Sequence, residues 1–178
     1  MLFRLKIAII DYGVGNLRSI QKALENLGVL PEITKDWRVI QRADAIILPG
    51  VGAFKDAKAE LEKISGPIYG AADAGIPILG ICLGMQLLMS QSEEDGPTEG
   101  LNIIPGDVVR LPNMVKVPHM GWNSLKIKRQ NHLVKGVKDG DFVYFVHSYY
   151  PQIKNPNQII ATTEYGIEFP AIIGKGEI

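Results

Sequence analysis

Three short apolar runs, each passing into a turn and then a stretch of helical spacing, constrain this chain more than any other feature. Ile7-Ala8-Ile9-Ile10 leads to Gly13-Val14-Gly15, and Ala45-Ile46-Ile47-Leu48 to Pro49-Gly50-Val51-Gly52. Ile76-Pro77-Ile78-Leu79-Gly80-Ile81 leads to a predicted helix over Met85–Ser90. Strands that are apolar throughout need cover on both faces, and helices between them supply it, so the pattern specifies a parallel sheet. The crossover rule then selects a doubly wound, flavodoxin-like α/β arrangement. Asn16 is placed to cap a helix whose Leu17, Ile20, Leu24 and Leu27 share a face and which Gly28 closes. A short strand is predicted near Leu30–Ile33. Helices are predicted over Ala53–Lys63, with Phe54, Ala57 and Leu61 on one side, and over Pro67–Ala74.

The pattern changes after a polar loop at Glu93–Gly100. Short alternating runs follow at Asp107–Leu111, Ser124–Ile127, Phe142–Tyr149, Ile159–Thr163 and Ala171–Ile173, with turns at Asp139-Gly140 and Asn155-Pro156-Asn157. They read as mostly antiparallel strands, a β ribbon added to the parallel sheet and its flanking helices. All 178 residues are read as a single domain, 1–178.

Charge and cysteine content exclude several classes of function. With 19 basic and 19 acidic side chains the formal net charge is +0, so no overall field favours nucleic acid or an anionic membrane. The densest basic cluster, Lys126, Lys128 and Arg129, reads as a solvated face. The first apolar run is too short to span a membrane and lacks a cleavage site, so a cytoplasmic protein is expected. The lone Cys82 rules out an intramolecular disulfide. His119, His132 and His147 lack the close spacing of a zinc site, so no metal is expected. In Asp11-Tyr12-Gly13-Val14-Gly15-Asn16 the third glycine of a dinucleotide fingerprint would fall at Arg18, so no cofactor is expected; a plain tight turn is the first reading and a phosphate or partner contact at this helix start the second.

Gly80-Ile81-Cys82-Leu83-Gly84, between a buried strand and a helix, has the form of a nucleophile elbow. Glycines are needed there because a side chain would collide where the backbone folds back on itself. A helix start favours thiolate at Cys82 and sets the Leu83 N–H beside it, suited to an oxyanion. Most lone cysteines are inert core residues; strand, helix and flanking glycines together decide for the elbow. Pro49-Gly50-Val51-Gly52 ends another parallel strand; taken alone it reads as an ordinary strand-to-helix turn, and together with the elbow it is expected to face the same crevice. None of the three histidines has a recognisable base-and-carboxylate context, and His132 reads as a surface turn residue.

With these residues in view, Gly80 to Gln86 resembles the nucleophile signature of the triad-type glutamine amidotransferases, and Pro49–Gly52 resembles their oxyanion loop. Pro118-His119-Met120-Gly121-Trp122-Asn123, Val146-His147-Ser148-Tyr149-Tyr150 and Asp11–Asn16 are similar to segments of the glutaminase subunit of imidazole glycerol phosphate synthase. The resemblance runs from about Ile7 to the chain's last residue. It implies Cys82 as nucleophile toward the glutamine side-chain amide, and Gly50, Val51, Gly52 and Leu83 as the oxyanion hole. Gln86, His147, Ser148 and Tyr149 would hold the glutamine. Asn16, Met120, Trp122 and Asn123 would lie at or near a cyclase subunit of (β/α)₈-barrel fold that receives the ammonia in histidine biosynthesis. Asn102 stands where the family usually has glycine, a change expected to be harmless. The family's base and carboxylate come from a His-Pro-Glu segment beyond Gly174–Ile178. On that ground the chain is read as a truncated member of very low activity, and no residue here is given those roles. Two alternatives remain: a glutaminase serving vitamin B6 or anthranilate synthesis, and a catalytically silent scaffold that only binds a partner.

Overall fold

The structure, a computed structural model, describes residues 5–178; the lead-in residues Met1–Arg4 lie outside them. The chain forms two compact units, one running to Leu88 and including Gly176–Ile178, the other Met89–Lys175.

The first unit is built on four parallel strands, β1 (Ile7–Ile10), β2 (Glu32–Thr34), β3 (Ala45–Leu48) and β4 (Ile78–Gly80), in the order β2-β1-β3-β4. That is the flavodoxin-like order the apolar runs predicted. Helix α1 (Leu17–Asn26) joins β1 to β2, and α2 (Trp37–Ile40) joins β2 to β3. Helices α3 (Phe54–Glu62) and α4 (Ser65–Asp73) link β3 to β4, and α5 (Leu83–Leu87) follows β4. Ile9, Ile10, Ile46 and Leu48 are almost wholly buried, as are Phe54, Ala57 and Leu61 of α3.

The Asn16 side chain accepts the Ser19 N–H at 3.3 Å, as its position predicted. At the other end Gly28 N–H donates to Glu25 and Val29 N–H to Leu24, a Schellman closure for which Gly28 takes φ +78°. The apolar side of α1 is only half-buried, however, and Leu27 is exposed. Several boundaries differ from the expectation. β2 starts two residues late, α4 starts at Ser65 rather than Pro67, and the helix after β4 runs Leu83–Leu87 instead of Met85–Ser90. The one-turn α2, capped by Asp36 accepting the Arg38 N–H, is too short for periodicity to reveal.

The second unit is mostly β, with two single-turn helices at His132–Val134 and Pro156–Gln158. A four-stranded sheet has the order β11 (Tyr149–Ile153), β7 (Gly106–Arg110), β5 (Gln91–Ser92), β6 (Thr98–Glu99), with only the β5–β7 pair parallel. A three-stranded sheet joins β13 (Ile167–Ile173), β12 (Ile159–Tyr165) and β9 (Lys126–Ile127), and β8 (His119–Ser124) pairs antiparallel with β10 (Phe142–His147). The predicted polar loop thus carries β6, which pairs antiparallel with β5 just before it. The predicted strand Phe142–Tyr149 is two strands in different sheets, broken at Ser148. Asn102 sits at φ +52°, the left-handed conformation natural to glycine and most tolerable to asparagine, and its Oδ1 accepts the Ser90 hydroxyl at 2.7 Å. That explains how asparagine serves here. The Lys128 ammonium pairs with Glu168 on an exposed face.

Gly84 and Gly70 give opposite tests of packing. A Cβ on Gly84 would stand 1.8 Å from the Leu48 carbonyl oxygen, whereas Gly70, inside α4, has open space around it. Gly84→Ala should lower unfolding free energy by about 3 kcal/mol or more. Gly70→Ala should raise it by roughly 0.5–1 kcal/mol. Urea titration of the two variants measures both.

Candidate active site

Cys82 occupies the turn between β4 and α5 at φ 55° and ψ −116°, a conformation that non-glycine residues rarely adopt and that costs about 1–3 kcal/mol. Close packing on both sides imposes it. Ile81 N–H donates to the Leu48 carbonyl at 2.9 Å, so the chain is still tied to β3 one residue before the turn. A Cβ on Gly80 would lie 2.6 Å from the Met85 Cα, and one on Gly84 would enter the Leu48 carbonyl. The next turn is anchored by Gly84 N–H to Ile81 O at 3.0 Å and Gln86 N–H to Cys82 O at 3.2 Å. Leu83, Gln86 and Leu87 are buried while Cys82 is exposed.

The thiol's electrostatics differ from the expectation of a favoured thiolate. Crowding by surrounding protein atoms pushes the Cys82 pKa up, and a hydrogen bond from the Leu83 N–H, which pulls it down, does not compensate. The Leu83 amide is therefore beside the sulfur, as predicted, but it does not ionise the thiol. Pro49–Gly52 follows β3, the strand next to β4. Gly50 is wedged against the elbow, for an added Cβ would meet Gly84 N at 2.8 Å and the Leu83 Cβ at 2.9 Å. Val51 and Gly52 are exposed. Gly50, Val51, Gly52, Leu83, Cys82 and Gln86 thus share one unit, together with Asn16. Tyr12, which sequence reasoning leaves in a plain turn, is buried there, and its hydroxyl donates to the Pro49 carbonyl.

His147, Ser148 and Tyr149 belong to the second unit and straddle the break between β10 and β11. The His147 Nδ1 lies 2.9 Å from the Tyr149 carbonyl oxygen. A carbonyl only accepts, so Nδ1 carries the proton and Nε2 is left to accept from His119 Nδ1, also 2.9 Å away. His119 is buried between the rings of Tyr165 and Phe145, stacked at 4.0 and 4.9 Å. Phe169 meets His147 edge-on at 5.2 Å. Neither the His119–His147 bond nor this aromatic box is legible in the sequence, because the pairing comes from strand register, His147 opposite His119. His132 is exposed in a one-turn helix.

On β8, Met120 and Trp122 are 62% and 69% exposed and lie opposite Val146 and Tyr144 of β10, which are each 54% exposed. Directly opposed residues share a face of an antiparallel pair, so these four make one apolar surface. Trp122 and Tyr144 touch edge to face at 5.6 Å. Asn123 follows Trp122 in sequence and hence lies on the opposite face. Its amide donates to the Glu164 carbonyl at 2.8 Å and its Oδ1 accepts the Ser124 N–H at 2.8 Å.

Two titrations follow. Burial lowers the pKa of both His119 and His147 below 6.5. The unfolded chain therefore takes up these protons more readily than the folded one, and stability falls as pH drops through about 6.5. Denaturation midpoints between pH 7.5 and 5 should decline more steeply for the parent than for His119→Phe. Alkylation of Cys82 by iodoacetamide should rise with a midpoint above the ordinary thiol value of 9.0; a midpoint below that would show the Leu83 amide to dominate.

The family model "Glutamine amidotransferase class-I" matches residues 8–177. The chain is 51% identical over 174 residues to the imidazole glycerol phosphate synthase subunit HisH of Moorella thermoacetica, covering 97% of this chain and 83% of that protein. It is 52% identical over 176 residues to the subunit of the same name from Methanosarcina acetivorans, with 97% and 87% covered. Among solved structures, a glutamine amidotransferase superposes with a TM-score of 0.73 at 15% identity over 96% of this chain and 85% of its own. Another, from Thermotoga maritima, gives 0.66 at 16% identity over 98% and 73%. At such identities these two speak for the fold alone. The relatives speak for more: this chain belongs to the class-I glutamine amidotransferases and, within them, to the family of the imidazole glycerol phosphate synthase subunit HisH.

Proposed function

We propose that the chain is a glutaminase subunit that releases ammonia from glutamine for a synthase making imidazole glycerol phosphate in histidine biosynthesis. The observation that carries this is Cys82, held exposed on a strained elbow with the Leu83 N–H on its sulfur. In this reading Sγ attacks the side-chain amide carbon of glutamine, and the carbonyl oxygen becomes an oxyanion received by N–H groups of Gly50, Val51, Gly52 and Leu83. Ammonia leaves, a glutamyl thioester remains, and water releases glutamate. Gln86, His147, Ser148 and Tyr149 are the residues proposed to hold the glutamine, within one glutamine amidotransferase domain over 1–178. The proton of the thiol needs an acceptor; the first unit contains no histidine, and no residue of this chain is assigned that part.

The relatives are subunits of a synthase, so a partner is integral to the proposal, and we take it to be a cyclase of (β/α)₈-barrel fold. The apolar surface of Met120, Trp122, Tyr144 and Val146 supports a docking face, since a monomer seldom leaves such a ribbon in water. Asn16 and Asn123 are proposed nearby, although both side chains already serve local backbone groups. No helix among the described residues is long and apolar enough to cross a membrane, and we place the protein in the cytoplasm. The comparisons lend no support to a silent scaffold.

Glutamate release should be measured with the partner cyclase and its ligand present. Cys82→Ala should lower the rate at least about a thousandfold, and full activity in that variant would sink the reading. Trp122→Ala should weaken association with the cyclase by about 2 kcal/mol or more in a binding titration.

A further inference from the structure

Something must hold the Pro49–Gly52 backbone where an oxyanion would need it, and the described residues contain one side chain arranged to do so. Tyr12 is 4% exposed, and its hydroxyl donates to the Pro49 carbonyl. A Cβ on Gly50 would lie 2.7 Å from that hydroxyl oxygen and 2.8 Å from Gly84 N, so Gly50 fills the gap between Tyr12 and the elbow. From the same loop, a Cβ on Gly15 would come within 3.2 Å of the Pro49 Cβ and 3.5 Å of Gly50 N. Among the described residues no backbone carbonyl accepts the N–H of Gly50, Val51 or Gly52. The peptide unit is planar, so holding the Pro49 carbonyl also sets the direction of the Gly50 N–H.

We propose that Tyr12 is a positioning residue for the reaction: its hydroxyl fixes the Pro49–Gly50 peptide so that the loop presents unbonded N–H groups to the oxyanion beside Leu83. The inference rests on reading Pro49–Gly52 as the oxyanion loop. Burial, reinforced by the charge a Cys82 thiolate would carry, holds the phenol of Tyr12 far above the ordinary range, so it stays a donor at any working pH.

Two reagents separate the loop from the thiol. Acylation of Cys82 by p-nitrophenyl acetate forms the S–acetyl bond, passes through a tetrahedral oxyanion and expels p-nitrophenolate, which needs no proton. Alkylation by iodoacetamide displaces iodide with no oxyanion. The ratio of the two rates, taken at matched thiolate fraction from the pH profiles, reports the oxyanion site. In the parent the ratio should exceed that of N-acetylcysteine. Tyr12→Phe should lower it about tenfold, the scale of a displaced rather than deleted donor. Substituting 4-aminophenylalanine at position 12, which returns an N–H donor, should restore it, and this variant decides alone should the phenylalanine variant not fold. A parent ratio equal to that of N-acetylcysteine would overturn the oxyanion-loop reading and this inference with it. An enhanced parent ratio unchanged in Tyr12→Phe, or lowered in the folded amino variant, would overturn only the role of Tyr12.

Discussion

The contact between Gly84 and the Leu48 carbonyl sets the geometry of everything that follows β4. With Ile81 N–H bonded to that carbonyl and no room for a Cβ on Gly84, the chain must turn back over the end of β3 within three residues. The helix starts there with Cys82 in a positive-φ conformation. The strain is borne by the buried residues behind it, since Leu83, Leu87 and Leu88 are each at most 2% exposed and return far more on burial than the turn costs. The same packing explains why the cysteine side chain is pushed outward. Where an elbow is this tight, exposure of the nucleophile is a by-product of burying its neighbours.

The second unit bends its backbone by a different means. Between β10 and β11 the chain leaves one sheet and joins another, and the imidazole of His147 bonds to the carbonyl two residues on. His119 completes the network from the facing strand, and Tyr165 and Phe145 sandwich its ring. Steric exclusion needs glycines and is indifferent to pH. A histidine pair needs a defined tautomer, and His147 must keep its Nε2 unprotonated to accept from His119 while its Nδ1 donates to the Tyr149 carbonyl. Backbone places proposed for the same reaction thus rest on supports with different sensitivities.

How much of this is legible depends on the range of the interaction. The β1, β3 and β4 strands, the Asn16 cap, the Gly28 stop and the elbow glycines are local signals, and each is readable because a few adjacent residues decide it. The one-turn α2 and the two-residue strands β5 and β6 fall below the length at which periodicity exists. The break at Ser148 is invisible because Phe142–Tyr149 is apolar enough to read as one strand; only the partners chosen by each half divide it. Tyr12 escapes notice for a related reason. Its loop invites comparison with a nucleotide fingerprint, and the bond to Pro49, 37 residues away, leaves no trace in the turn itself. Asn102 takes a positive φ that glycine adopts freely, which residue type suggests and φ establishes.

The state of the thiol shows why motif and chemistry part company at Cys82. A helix with aligned peptide dipoles would favour thiolate, as expected from sequence, but α5 has five residues and few dipoles to align. What remains is a single backbone N–H on the sulfur, set against the desolvation of a crowded turn, and desolvation prevails. An elbow built this way aims the sulfur without ionising it. Protein atoms packed behind the nucleophile displace part of its water and strengthen any partner charge brought near, because the effective dielectric there is lowered. The crowding that keeps the isolated thiol protonated would then favour its ionisation once a proton acceptor is placed beside it. Direction is therefore a property of the glycine packing, and activation a property of whatever group receives the proton.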